Sequence, residues 1–115
     1  MPMSYQFNLY RGDTKRWRFL FWNDAAKTDA ADLTGVTALS EIRDKTDGAT
    51  IVIPLTCTVT LPNIVDVFLS ADNSAMLPAK GGVWDLQLTY LSGDVMSPVC
   101  GAVSVRADVT QPTIP

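Results

Sequence analysis

Apolar and polar side chains alternate along much of this chain, and a period of two predicts β-strands that bury one face. Near the start, Tyr5, Phe7 and Leu9 alternate with polar neighbours. After a turn at Arg11-Gly12-Asp13, a second strand is predicted from Lys15 to Trp22, with its aromatic side chains inward: Trp17, Phe19 and Phe21. Aromatic residues suit a half-buried pleated surface, so this second strand is the strongest prediction in the chain.

Five further strands are predicted between clusters of Gly, Pro, Asp and Asn: Val36–Arg43, Thr50–Thr60, Ile64–Leu69, Trp84–Tyr90 and Val95–Val109. Pro54 cannot donate to a ladder, so the segment that contains it is expected to be split or to lie at a sheet edge. Pro98 likewise predicts an edge or a bulge. One short helical turn is predicted near residues 71–77, with Ser70 or Asp72 as its cap.

About seven short strands at roughly ten-residue spacing predict an all-β fold, an antiparallel β-sandwich. A small barrel is the alternative. The prediction gives one domain over residues 1–109 and an extended C-terminal tail over 110–115, because Pro112 and Pro115 disfavour a central strand there.

Composition narrows the class of protein. The chain has 115 residues, 47% of them hydrophobic, which is enough for one folded core. Nine Lys and Arg against 12 Asp and Glu give a net charge of −3, so no nucleic-acid partner is expected. The apolar runs are too short for a spanning helix and the N-terminus does not read as a secretory signal, so no membrane partner is expected either.

The residues for common catalytic chemistry are scarce. The chain contains no histidine, which removes the usual general base and the commonest zinc ligand. Cys57 and Cys100 are expected to be free, partly buried thiols, because a protein made in the cytoplasm keeps its cysteines reduced. A disulfide between them is the alternative. No phosphate-binding glycine motif and no calcium-loop spacing is present. We therefore expect a protein that is not an enzyme, with no catalytic residues, no metal site and no cofactor.

Three motifs have alternative interpretations. Arg11-Gly12-Asp13 matches the tripeptide of integrin ligands, but turn chemistry alone accounts for these residues. The aspartates between the strands are expected to be solvated loop carboxylates. Trp17, Trp22 and Trp84 suggest a sugar-stacking platform, although the strand phase places Trp17 and Trp84 in the core.

The second strand predicts an interaction surface on its other face. Arg16, Arg18, Leu20 and Trp22 share the outward phase of this strand, and the alternative for Trp22 is a bulge that turns it inward. Exposed apolar groups mark protein contacts, and Trp and Arg are common interface anchors. These four residues are the predicted partner interface, together with the chain ends 1–4 and 110–115.

The order of several motifs resembles a known group of proteins. The motifs are R-G-D-T-K-R-W-R-F-L-F-W at 11–22, D-L-T-G at 32–35, E-I-R-D at 41–44, L-P-A-K-G at 77–81, W-D-L-Q-L at 84–88 and G-x-V-x-V at 101–105. Over nearly the whole chain this order resembles small virion proteins of tailed bacteriophages, of the tail or baseplate adaptor type.

The resemblance implies an immunoglobulin-like β-sandwich in a virion, synthesised in the cytoplasm of the bacterial host. It implies a structural role that joins tail or baseplate subunits, with other virion proteins as partners in a symmetric multi-copy assembly. A capsid decoration protein is the first alternative. A carbohydrate-binding adhesion module is the second.

Overall fold

The computed structural model describes residues 3–106. Strands make up 54% of the structure and helix 4%, so the predicted all-β class is confirmed. There are eight strands rather than about seven. The elements are β1 (Met3–Ser4), β2 (Phe7–Tyr10), β3 (Lys15–Leu20), β4 (Thr37–Arg43), β5 (Val52–Thr60), β6 (Ile64–Leu69), α1 (Ala71–Ser74), β7 (Gly82–Thr89) and β8 (Val95–Arg106).

The strands form one sheet that curls into a half-barrel. Its order is β1-β8-β7-β4-β5-β6-β3, and β2 also pairs with β8. Most neighbours are antiparallel, but β1 and β2 run parallel to β8. The prediction of a purely antiparallel fold is therefore wrong at the N-terminus, because the first two strands lie beside the last strand and run in its direction.

β5 joins the two halves of the sheet. Its first residues, Val52–Leu55, pair with β4, and Thr56–Thr60 pair with β6. β5 is one continuous strand, so the expected split at Pro54 is wrong. Among the described strands Pro54 pairs with β4 alone, because the pairing with β6 begins at Thr56, so the other expectation, an edge position, is confirmed. The Pro54 carbonyl accepts a hydrogen bond from Asn73 Nδ2 at 3.3 Å, so it points away from β4. The N–H and C=O groups of one residue in an antiparallel strand point to the same side. An N–H at position 54 would therefore also point away from β4, so its absence in proline removes no hydrogen bond to β4.

The other boundaries differ in detail. β3 ends at Leu20, two residues before the predicted end at Trp22. The helix is a single turn capped by Ser70, whose Oγ accepts the Asn73 N–H at 3.2 Å. The register between β7 and β8 shifts beside Pro98, which confirms the bulge that this proline predicts. The tail at 110–115 and the first two residues lie outside the described residues.

Stacked aromatic rings close the half-barrel. The Phe7 ring lies between Trp17 and Trp84, with ring centroids 3.9 Å from each and nearly parallel planes. Phe19 and Tyr5 complete the cluster through further ring contacts. Because Trp17 belongs to β3 and Trp84 to β7, this stack joins the two opposed halves of the curled sheet.

The Arg11-Gly12-Asp13 turn is held against α1. The Ser74 hydroxyl is buried, accepts the Gly12 N–H at 3.0 Å and donates to the Tyr10 carbonyl at 3.3 Å. Gly12 has a φ of 95°, in the left-handed region. The Arg11 side chain is half-buried, and its Nε has no solvent exposure. The geometry therefore supports the turn interpretation over the display of an integrin ligand.

Candidate interaction surface

Three of the four residues predicted as an interface lie together on the outer face of β3. Arg16, Arg18 and Leu20 are exposed, and each sits beside an outward residue of β6 in the antiparallel register: Phe68, Asp66 and Ile64 respectively. We call these six residues the β3 face. The sequence predicted the β3 half of this face from its alternation, but the β6 half depends on pairing that alternation does not give.

The two arginines of the β3 face are held by their cross-strand neighbours. Arg18 Nε donates to Asp66 Oδ1 at 2.7 Å and a second nitrogen donates to Oδ2 at 3.2 Å, a bidentate arrangement. The guanidinium of Arg16 lies 4.7 Å from the centre of the Phe68 ring. Exposed ion pairs contribute little to the stability of the fold. The main effect of these contacts is to hold the two guanidinium groups in fixed positions beside the apolar side chains of the β3 face.

β3 also leaves one main-chain edge open. Within residues 3–106, β6 is its single strand neighbour. Phe21 continues the ladder by donating its N–H to the Asn63 carbonyl at 3.0 Å, which turns odd-numbered residues toward β6. By alternation, Arg16, Arg18 and Leu20 direct their N–H and C=O groups to the free edge. Such an edge is able to accept an extended strand from another chain.

Trp22 does not lie on β3. It follows the strand end, is half-buried and forms an isolated antiparallel bridge with Ala30. The bridge rests on two main-chain bonds, from Asn23 N–H to the Asp29 carbonyl at 2.8 Å and from Ala31 N–H to the Phe21 carbonyl at 3.0 Å. Trp22 therefore borders the β3 face, on the loop that folds back from it.

The other half of the sheet carries an open groove of about 760 Å³ on its outer face, which the sequence did not reveal. Glu41 and Asp85 are cross-strand neighbours in this groove, and the Arg43 guanidinium binds Glu41. Burial raises the pKa of Asp85, the Glu41 charge raises it further and Arg43 lowers it. Alternation along each strand indicates that both carboxylates point outward. Only the β4–β7 register, which alternation does not give, makes them neighbours.

The loop aspartates organise their own turns. The Asp24 carboxylate accepts the hydroxyl of Thr28 and the main-chain N–H groups of Thr28 and Asp29, and these bonds lower its pKa. Thr34 and Thr50 bind Asp32 and Asp44 in the same way. Over residues 3–106, no group of three metal-ligating side chains comes together.

Two of the three tryptophans are used by the fold. Trp84 is buried, and its Nε1 donates to the Tyr5 carbonyl at 2.8 Å. Trp17 is half-buried against the core. The core placement predicted for both is confirmed, and a sugar-stacking platform made from all three rings is not present.

Both cysteines are free and half-buried. They lie on different strands, Cys57 on β5 and Cys100 on β8. Burial raises the pKa of the Cys57 thiol to about 11, so little thiolate forms near neutral pH. Thiolate is the reactive form of cysteine.

We therefore expect slow modification of Cys57 in the native protein and rapid modification of both thiols after denaturation without reductant. Mass spectrometry after timed alkylation measures the native rate at each cysteine. Cys57→Ser serves to assign the signal. An intact mass two hydrogens below the reduced value would contradict the free-thiol state.

Comparison with protein-family models and with curated proteins gives no match to this chain. Among residues 3–106, no helix is both long enough and apolar enough to cross a membrane. The fold and the surface together define a mostly β domain with an exposed cationic and apolar strand face.

Proposed function

We propose that this protein is a non-enzymatic structural component of a tailed-phage virion that joins subunits in the tail or baseplate. The observation that carries the proposal is the β3 face, where ordered arginines and an exposed leucine flank an open strand edge. A surface of this kind suits a protein contact, because apolar area is removed from water while main-chain groups gain partners. The order of motifs described above supplies the virion context.

We propose further that the half-barrel is an immunoglobulin-like sandwich. Such domains pack one sheet containing strands B, E and D against another containing C, F and G. When β3 to β8 are matched in chain order to strands B to G, β3-β6-β5 corresponds to B-E-D and β4-β7-β8 corresponds to C-F-G. The two groups are joined here through the pairing of β5 with β4. The chain departs from antibody domains because its buried tryptophan stands on β7 rather than the third strand of the pattern and its cysteines are unpaired.

A capsid decoration protein remains the second candidate, since the β3 face would serve contact with a capsid subunit equally well. The carbohydrate-binding alternative loses its main support, because Trp17 and Trp84 pack in the core. The first two candidates share a test, which is incorporation into particles, and they differ in the particle fraction that retains the protein. Separated heads and tails from disrupted virions distinguish them.

The Leu20→Asp variant tests the proposal. Leu20 is 48% exposed, so the isolated domain should fold with nearly unchanged stability. Placing a carboxylate in a buried contact is costly, so incorporation into particles should fall about tenfold or more. Quantitative mass spectrometry of purified particles measures the copy number relative to the major tail or capsid protein.

Leu39→Asp is the matched control, because Leu39 is 60% exposed on β4, in the other half of the sheet. This control variant should incorporate like the wild type. Loss of the control but not of Leu20→Asp would overturn the assignment of the β3 face. Absence of the wild-type chain from purified particles would overturn the virion role itself.

A further inference from the structure

The connections between strands gather at two opposite ends of the half-barrel. The antiparallel register places 21–36, 61–63 and 90–94 at one end. The connections at 11–14, 44–51 and 70–81 lie at the other end. Each end also includes the strand residues next to these connections.

Charge is divided unequally between the two ends. The first end, which we call the acidic end, has four carboxylates and one cation: Asp24, Asp29, Asp32, Asp94 and Lys27. The second end, the basic end, has six cations: Arg11, Lys15, Arg43, Lys45, Lys80 and Arg106. Four carboxylates accompany them, Asp13, Asp44, Asp47 and Asp72, and Glu41 binds Arg43. With Glu41 included, the basic end has six cations and five carboxylates and a net charge of +1, whereas the acidic end has a net charge of −3.

Exposed apolar side chains accompany the charges. At the acidic end, Leu91 is 81% exposed in the β7–β8 turn, and Leu61, Val95 and Met96 at the same end are each more than half exposed. At the basic end, the exposed large apolar residues are Tyr10, Val52 and Met76. Exposed apolar side chains at both ends are not explained by the core of one copy, and they suit contact with another molecule.

We propose that copies of this chain associate head to tail, with the acidic end of one copy on the basic end of the next. The cations of the basic end favour this heterologous contact with the acidic end, whereas a two-fold contact through the acidic end would oppose like charges. The apolar side chains supply the area that the contact removes from water. Such a contact repeats, so it builds either a ring or a filament.

This inference rests on the proposed structural role and deepens it by naming a second copy as one partner, and the residues that its test changes lie outside the β3 face. Its test uses the purified full-length chain in solution. A chain that does not associate in solution would contradict head-to-tail association but not the virion role. A chain that is absent from particles would contradict the virion role but not head-to-tail association.

Two variants each disable one end. Leu91→Asp places a charge in the apolar part of the acidic end, and the double variant Lys45→Glu, Lys80→Glu reverses charge at the basic end. All three positions are exposed, so the fold should be retained, as checked by circular dichroism. Sedimentation velocity over a concentration series at low salt should show association of the wild type and at least about tenfold weaker association of each variant.

Mixing the two variants is the decisive measurement. Each still has one intact end, so an equimolar mixture should form a one-to-one dimer and nothing larger. Raising the salt concentration should weaken wild-type association, because surface charges are screened. Thr58→Asp, exposed in the middle of β5, is the control and should associate like the wild type.

Three outcomes overturn the proposal. The first is a wild-type chain that stays monomeric at low salt throughout the concentration series. The second is a mixture of the two variants that forms no dimer. The third is association that neither end variant weakens, which would place the contact elsewhere on the molecule.

Discussion

Replacing Phe7 with alanine is expected to lower the free energy of unfolding by about 3 to 5 kcal/mol, the range for truncating a large buried aromatic residue. The Phe7 ring is fully buried between Trp17 and Trp84, at 3.9 Å from each ring centroid. Its loss leaves a cavity and also removes the only ring that touches both tryptophans in this stack. Because the two tryptophans belong to opposed halves of the sheet, neither half is able to close the gap alone.

Urea denaturation followed by tryptophan fluorescence measures this effect. Asn8→Ala is the matched control, since Asn8 is exposed on the same strand and should cost less than about 0.5 kcal/mol. A double-mutant cycle with Phe7→Leu and Trp17→Leu isolates the stacking contribution, expected at about 0.5 to 1.5 kcal/mol. A Phe7→Ala variant as stable as the control would show that the stack does not hold the two halves together.

The faces of the strands were predictable from the sequence, because alternation depends on the two-residue period of the chain itself. Phe7, Leu9, Trp84, Leu86 and Leu88 were assigned inward from this period, and all five are buried. Tyr5 was assigned to the same face but is 44% exposed, because it lies between β1 and β2 rather than in a strand. The outward assignment of Arg16, Arg18 and Leu20 holds for the same reason.

Strand partners were not predictable from the same pattern. Alternation assigns a face to each residue but does not say which strand lies alongside. The passage of β5 between β4 and β6 and the parallel entry of β2 beside β8 depend on contacts distant in sequence. The groove with Glu41 and Asp85 was missed for this reason, since both residues are outward but become neighbours only through the β4–β7 register.

Two of the motifs behind the proposed resemblance to phage virion proteins have identifiable roles in folding. Asp32 accepts the Thr34 N–H in D-L-T-G, and Gly35 closes that turn with a φ of 75°. In L-P-A-K-G, Gly81 has a φ of 76° beside the Val103 carbonyl. These two motifs are therefore positions where the backbone constrains the residue type. Their residues are explained by the fold and do not identify a partner. A partner would contact exposed residues whose type the fold does not constrain.

The glycine of G-x-V-x-V provides the second large effect. Gly101 on β8 pairs with Trp84 on β7, and the N-terminal chain crosses over it. A Cβ at this position would lie 2.8 Å from the Tyr5 carbonyl carbon and closer still to its oxygen. That oxygen accepts the Trp84 indole N–H at 2.8 Å, and the Tyr5 N–H donates to the Cys100 carbonyl at 2.9 Å. Gly101 thus allows the close approach of two backbones that positions the aromatic stack.

Gly101→Ala should therefore destabilise the domain by about 3 kcal/mol or more. Overpacking typically costs about 1 to 3 kcal/mol, and displacing Tyr5 also breaks a hydrogen bond of a buried indole, which adds about 1 kcal/mol. The atoms that a Cβ at position 101 would meet all belong to the Tyr5 backbone, so no flexible side chain is able to move aside. Gly93→Ala is the control, because Gly93 has a φ of 93° but open space around it, so it reports conformational strain without a clash. Thermal and urea unfolding should rank Gly101→Ala well below Gly93→Ala, and equal stabilities would show that the N-terminal strands shift away from β8 at little cost.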